Sequence, residues 1–468
     1  MTARRVLLIL SLALFCGCPS PPPPPAPAPP TPKLRVMVVD DPALGTALKR
    51  EWLAHTESDV EIVDISAAQA VTAQQLPADV VIYAPAYLGQ FAAADLLLPV
   101  DDATLADANF DRDDVLPLLR TQEATWGRRV LALPLGSPQF VLFYRADLLK
   151  QHNLQPPRTW KEYSALVERF TDKPVGAEVQ SWQPTAEPLA TGWAGRLLLA
   201  RAAASALHRD QLSPLWNLEN LEPLITGPPW VRALEEVVAD NRCGQPEPQL
   251  LAPQDCYAKF LAGECAFAIA WPQALPDKSP SPLQPEQMGM ALLPGSNEVY
   301  HPLAAKWESL ADGESPHVPL LGISGRVASV TRASSQPRLA TRFIVRLCGP
   351  DTSGRIAPLS SATTIFRQSH FQNGSAWQAP PELQNQLSTY GELLSSVQAT
   401  PRRFQVPRLP GQQDYLATLD AAVLAAVRQE QSPAEALEQA AANWREITKA
   451  RGVVAQQREL RRSLGLGD

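Results

Sequence analysis

Apolar residues recur in two rhythms along most of this chain. Continuous runs at 34–40 (LRVMVVD), 60–66 (VEIVDIS) and 79–83 (DVVIY) read as buried strands. Between the first two, residues 43–55 place Leu44, Leu48, Trp52 and Leu53 on one helical face. A second helical segment separates the second and third strands. Strands alternating with helices predict βαβ units and a parallel sheet. Ligands favour the carboxyl ends of such strands, which draws attention to the turns after Asp40 and Tyr83.

The rhythm resumes near residue 131. Residues 131–135 lead into Gly136-Ser137-Pro138, and 140–144 (FVLFY) is another buried strand. Thr159 and Glu162 then form a capping box opening a helix over 160–170. Helices are predicted over 192–206, 230–241 and 257–263. Residues 265–271 (CAFAIAW) read as a buried strand ending in an aromatic. A strand with Gly322 and Gly325 is predicted over 320–330, followed by a helix over 337–347. Two C-terminal helices follow, over 414–430 and from Ser432-Pro433-Ala434-Glu435 to about Arg451; the second opens with a capping serine, a first-turn proline and a boxed glutamate. No internal repeat is visible.

The first 32 residues follow neither rhythm. Arg4 and Arg5 precede an apolar run over 6–15, then Gly17-Cys18 and a proline tract over 19–32. That is the order of an export signal. About ten apolar residues are too few for a spanning helix, which needs roughly 20. A cysteine directly after the apolar core resembles a bacterial lipoprotein signal, with Cys18 acylated as the mature N-terminus. Phe15 departs from the leucine usual three residues before that cysteine, and an ordinary cleaved secretory signal is the alternative. Ten prolines within 19–32 cannot form a core. In polyproline II form, at about 3.1 Å per residue, they give a tether of roughly 40 Å.

Composition narrows the classes of function. The remaining length suggests two lobes. A net charge of −7, more negative once Arg4 and Arg5 are removed, argues against nucleic acid and anionic lipid as partners. Cys243, Cys256, Cys265 and Cys348 match no zinc spacing. An exported context is compatible with a bridge within 243–265, but spacing does not choose among the pairings. Gly-x-Ser-x-Gly, phosphate-loop, His-Glu-x-x-His and Rossmann signatures are absent, and the six histidines are scattered. No enzyme and no cofactor are predicted. Asp101-Asp102 and Asp113-Asp114 sit near helix starts, where carboxylates favour the dipole. Eleven tryptophans are many, and Tyr83, Tyr87, Trp182, Trp193 and Trp271 fall at predicted element ends. An aromatic platform with a few hydrogen-bonding groups suits a carbohydrate, whose CH faces lie between hydroxyls. Core packing is the competing reading for each.

Five stretches, in order, carry a resemblance: 79–100, 131–162 with its PPRTWKE, 260–271 (FLAGECAFAIAW), 320–347 and 416–444. Together they resemble the extracellular solute-binding proteins of ABC importers, family 1, which includes maltodextrin- and other sugar-binding proteins. The resemblance spans about residues 34–464. It implies an α/β, periplasmic-binding-protein type II-like fold: two discontinuous lobes, a hinge, and a cleft that closes on ligand. Lobe one is expected over 34–138 and 320–365, lobe two over 139–319 and 366–464, after a signal over 1–18 and a tether over 19–33. It further implies a monomer serving a membrane permease, with a sugar or oligosaccharide as solute.

Carried over residue by residue, the resemblance makes Trp271 the stacking tryptophan and Tyr83 an aromatic at the end of the third strand. Ala86 and Tyr87 fall where sugar binders often place a charged pair; alanine is a departure that speaks against a maltodextrin-like ligand. Ser137 and Gln139 lie on the lobe-crossing strand, Glu187 and Trp193 near the ligand-facing helix of lobe two, and Arg367 in a late loop near the cleft. For the polar candidates a solvated loop position is the competing reading. The alternatives for function are a lipoprotein serving a sensor, and one binding a polyol, an anion or a metal.

Overall fold

The computed structural model describes residues 33–467 except 56–59, 175–178, 180, 245–246, 276–280, 374–375 and 380. Contacts divide the chain into Met1–Lys33 and Leu34–Asp468. The predicted signal, Cys18 and the proline tether lie outside the described residues. No described helix is long and apolar enough to cross a membrane.

Fifteen strands are described: β1 Leu34–Val39, β2 Val60–Ile65, β3 Val80–Tyr83, β4 Thr125–Trp126, β5 Arg129–Val130, β6 Leu133–Pro134, β7 Val141–Arg145, β8 Gln183–Ala186, β9 Cys265–Ala270, β10 Met288–Leu292, β11 Glu298–His301, β12 Lys306–Ser309, β13 Leu320–Leu321, β14 Val327–Val330 and β15 Phe404–Gln405. Eleven of them build two main sheets and a hairpin. The first sheet runs β2-β1-β3-β14-β6, the second β10-β7-β9-β8, and β11 pairs with β12. Each sheet therefore draws on separated parts of the chain.

β1, β2 and β3 are parallel, as their βαβ pattern predicts. The rest of the first sheet corrects that expectation: β14 joins β3 and β6 antiparallel, because it enters from a crossover. In the second sheet β7 is antiparallel to both β9 and β10, and only β8–β9 is parallel. The stretch read as one strand over 320–330 is two. Gly322 and Gly325 break it with φ of 72° and 109°. A Cβ on Gly325 would lie 2.7 Å from the Gly136 carbonyl oxygen, so the two crossing segments touch backbone to backbone.

Helices form where the sequence caps them. Glu162 N donates to Thr159 Oγ1 at 3.2 Å while the Glu162 carboxylate accepts from Thr159 N at 3.3 Å. Ser432 and Glu435 repeat this at the start of the helix Pro433–Arg451. That helix packs with Gln412–Val427, which in turn lies on Ala194–Ala206 and Pro228–Arg242. Trp444 closes the contact: its Nε1 donates to Tyr415 O at 2.9 Å, and its ring stacks on Trp216 at 4.7 Å. Two of the longer helices escaped the sequence reading, Pro381–Ser396 and Val453–Ser463. The second reaches back to the β4–β5 hairpin, where Trp126 Nε1 donates to Glu459 Oε2 at 3.2 Å.

Asp101 caps the short helix Asp102–Leu105, accepting from Thr104 N at 2.8 Å, as its position predicts. Cys243, Cys256, Cys265 and Cys348 are free thiols, so the structure does not form a bridge within 243–265. Cys256 and Cys265 are buried in the core, and burial pushes both thiols up, away from the thiolate that oxidation requires.

Candidate functional site

Two strand ends of the first sheet carry polar loops. After β1, Asp40 adopts φ 49° and its carboxylate accepts from Ala67 N at 3.0 Å. Asp41 accepts from Leu44 N at 3.0 Å and from Ser360 Oγ at 2.6 Å. Arg326, entering from the crossover, lies across this loop: Nη2 donates to Asp40 O at 3.0 Å and Nε stands 3.0 Å from Asp41 Oδ2 as an ion pair. After β3, a 3-10 turn, Pro85–Tyr87, presents the half-buried Tyr87 ring. Gln413 donates to its hydroxyl at 2.5 Å. Burial pushes the Tyr87 phenol up, opposed by the Gln413 hydrogen bond, while Asp40 raises it and Arg196 and Arg326 lower it.

The second sheet answers with aromatics. β9 is buried on both faces through Ala270, and Trp271 follows at the point where Pro272 ends pairing. Trp271 meets Trp193 with ring centroids 5.6 Å apart and Phe140 at 5.9 Å; Phe140 and Trp193 are 6.2 Å apart. Trp193 precedes the helix Ala194–Ala206 as its N-cap residue. One turn on, the Arg196 guanidinium carbon lies 5.5 Å from the Trp193 ring centroid. Asp420 secures this helix start, accepting from Gly192 N at 2.8 Å and Gly195 N at 2.6 Å.

Arg196, packed on Trp193, is near enough to Tyr87 for its charge to act on the phenol. Several buried side-chain atoms here have no protein partner among the described residues: Trp271 Nε1, Arg196 Nε, and both amide atoms of Gln273. Buried polar atoms are normally satisfied, so these orphans make the surroundings of the trio the candidate site.

The predicted site residues divide. Trp271 and Trp193 come together and Arg196 lies on Trp193, whereas Tyr87 packs near Phe91 and Gln413 and is linked to Arg196 only through charge. Tyr83 does not join them: its ring is fully buried against Phe91 at 4.9 Å and its hydroxyl bonds Ser329 Oγ at 2.9 Å. Ser137 donates to the buried Glu123 at 2.9 Å. Gln139 has its backbone clamped by Tyr390 Oη, which is 2.8 Å from its N and 3.0 Å from its O, and it lines a small cavity with Leu293, His317 and Leu394. Glu187 lies inside the second sheet's helical layer, taken by Arg201 at 2.7 Å, Tyr163 at 2.8 Å and Asn241 at 2.7 Å. Arg367 is buried beside Phe110–Asp114, donating to Phe110 O at 2.7 Å and pairing with Asp114 at 3.3 Å. Ala86 is buried behind Tyr87. Sequence reasoning missed Arg196, Arg326, Gln273, Phe140 and Asp41; of these only Phe140 and Gln273, flanking predicted strand ends, carried a positional signal.

One further cluster concerns metals. His208, Asp210 and His301 bring ligand atoms within 4.8 Å of one another. Both nitrogens of His208 are already engaged: Nδ1 accepts from Asp210 N at 3.1 Å, and Nε2 lies 3.3 Å from Glu308 Oε2. The arrangement is a hydrogen-bonded knot between residues 208–210 and the β11–β12 hairpin.

Residues 40–345, well over half of the chain, match the family model described as bacterial extracellular solute-binding protein, and the chain belongs to that family. The family is one of transport, not of enzymes. Solved structures share the fold. An ABC transporter solute-binding protein from Agrobacterium radiobacter K84, in complex with ribitol, superposes with a TM-score of 0.66 at 18% identity, covering 89% of this chain and 98% of that one. Maltose-bound MalE3 of T. maritima gives 0.63 at 18% identity, over 88% and 100%. A solute-binding protein from Agrobacterium vitis S4 with bound D-mannitol gives 0.63 at 17%, over 90% and 99%. The fold is accordingly that of the type II periplasmic solute-binding proteins.

Proposed function

We propose that this protein is the tethered solute receptor of an ABC importer, holding a sugar or polyol between its two sheets. One observation carries the reading. The Phe140–Trp193–Trp271 trio ends in an indole N–H with no protein partner among the described residues, and Arg196 lies on its Trp193 edge. A ring or extended polyol can lay its CH face on Trp271 while its oxygens accept from the indole, Gln273 and Arg196. The ribitol, mannitol and maltose held by the similar structures support that ligand class.

The crossing segments at Gly136 and Gly325 are the natural hinge, since chain passes between the sheets there with little side-chain bulk. Ligand binding would select the closed arrangement, which the permease reads. Cys18 would carry the lipid and the proline tract would hold the body away from the membrane. The test is a thermal-shift screen of the purified protein against sugars, oligosaccharides, polyols and amino acids. A ligand at 100 times its dissociation constant stabilises by about 2.7 kcal/mol. Shifts confined to amino acids would refute the carbohydrate reading.

A further inference from the structure

We propose that the solute is an anionic sugar, a carboxylated or phosphorylated one, whose charge is read by Arg196; this rests on the sugar-receptor reading above. The starting point is how this chain treats the guanidinium groups it buries wholly or in part. Arg201 pairs with Glu187 and Asp240, Arg326 with Asp41, and Arg367 with Asp114, all within 3.3 Å. Arg402 and Arg408 are held by backbone carbonyls, Arg408 by those of Gln122, Glu123, Thr125 and Ser463. Arg196 is treated differently. Among the described residues it forms no ion pair, and its guanidinium donates only to Gly192 O, through Nη1.

The carboxylates nearby are already committed. Asp420, the strongest opposing charge on Arg196, spends both oxygens on the amides of Gly192 and Gly195. Asp41 is taken by Leu44 N, Ser360 and Arg326. Asp40 accepts from Ala67 N. Burial pushes the Tyr87 phenol up, so it brings no negative charge to Arg196.

The orphaned atoms of the site are unbalanced in the same direction. Arg196 Nε, Trp271 Nε1 and Gln273 Nε2 are donors; Gln273 Oε1 is the acceptor beside them. A neutral sugar's hydroxyls can accept from these donors but bring no charge to offset the guanidinium. A carboxylate or phosphate only accepts, and a guanidinium binds either with charge-assisted hydrogen bonds. The Trp193–Trp271 face then takes the ring, and Arg196, packed on Trp193, takes the charge at the ring's edge.

Titration calorimetry on the purified protein tests this with matched pairs: galactose and galacturonate, glucose and glucuronate, glucitol and gluconate, glucose and glucose 6-phosphate. At least one acid is expected to bind ten-fold or more tightly than its neutral partner, and the carboxylate and phosphate arms identify the source of the charge. Arg196→Gln should erase that preference and Arg196→Lys retain part of it, with melting curves reporting that each variant folds. Neutral sugars binding as tightly as their acids would overturn the inference and leave the sugar-receptor reading standing. Binding by neither member of any pair would overturn both.

Discussion

Trp193 and Trp271 meet with ring centroids 5.6 Å apart and planes inclined by 46°, joining the start of a helix to the end of β9. Trp271 is 2% exposed, yet its indole nitrogen has no partner. Packing and hydrogen bonding therefore make separable demands on one side chain. Trp271→Phe keeps most of the ring contact and deletes the unsatisfied donor. The lost volume and the relieved N–H, each worth about 1–2 kcal/mol, should nearly cancel in the unliganded protein. Ligand affinity should nonetheless fall by about 1–2 kcal/mol, because the donor meets the solute. Trp271→Ala, by contrast, should cost about 3–5 kcal/mol of stability. Melting and calorimetry on the pair check this; full affinity in the phenylalanine variant would make Trp271 a core residue.

Cys18→Ser should release the protein from membranes without changing its affinity for solute. The motivation is the Gly17-Cys18 junction and the proline tract that follows, which has no apolar side chain to dock. A single acyl chain binds membranes marginally, whereas two or more anchor stably. Mass spectrometry of detergent-extracted protein supplies the direct readout. An unmodified N-terminus beyond residue 18 is the result that contradicts lipidation.

The framework was legible because its strands are continuous apolar runs and its helices carry their own caps. What the sequence concealed depends on neighbours. Tyr83 closes β3 and looks free to face a crevice, but β14 covers that edge: Tyr83 pairs with Val327, and its hydroxyl reaches Ser329. Arg196 and Arg201 share one Ala/Leu-rich helix and look like solvated positions. Burial of Arg201 follows from two acids that arrive from β8's exit and from the helix Pro228–Arg242. Arg196 is partly buried, and the groups that act on its charge are the C-terminal Asp420 and Tyr87, far earlier in the chain. Arg367 reads as a loop cation and is a buried clasp for Asp111 and Asp114. Local pattern does not encode such long-range partnerships.

The Arg201 cluster yields a stability test. Glu187 and Asp240 both lie on its guanidinium with side chains at most 3% exposed, and burial pushes the Glu187 carboxyl up against the attraction of Arg201. Arg201→Met preserves length and removes the charge, leaving two acids facing each other in the core. Breaking one side of a buried network in this way costs about 3–5 kcal/mol. Chemical denaturation should show that loss, and adding Glu187→Gln to Arg201→Met should return part of it. A loss equal to that of an ordinary surface arginine would show that the network contributes no stability.

Glu123 supplies the pH dependence. Its carboxylate is buried where the chain crosses between sheets, accepting from Ser137 Oγ at 2.9 Å and Gly322 N at 2.8 Å through the same oxygen. The other oxygen has no partner among the described residues. Burial raises its pKa from 4.5 to about 7, against the pull of those two hydrogen bonds and of the Arg408 charge. The folded protein therefore holds this proton more tightly than the unfolded chain does. Between pH 4.5 and about 7 the native state binds more protons, so stability falls as pH rises and levels off above the folded pKa. The full contribution, present below pH 4.5, is of order 3 kcal/mol. Glu123→Gln keeps an acceptor for Ser137 and Gly322 and removes the titration. Urea unfolding at pH 5 and pH 8 should show the wild type losing more stability than the variant over that interval. Equal losses in both proteins would assign the pH dependence to other groups.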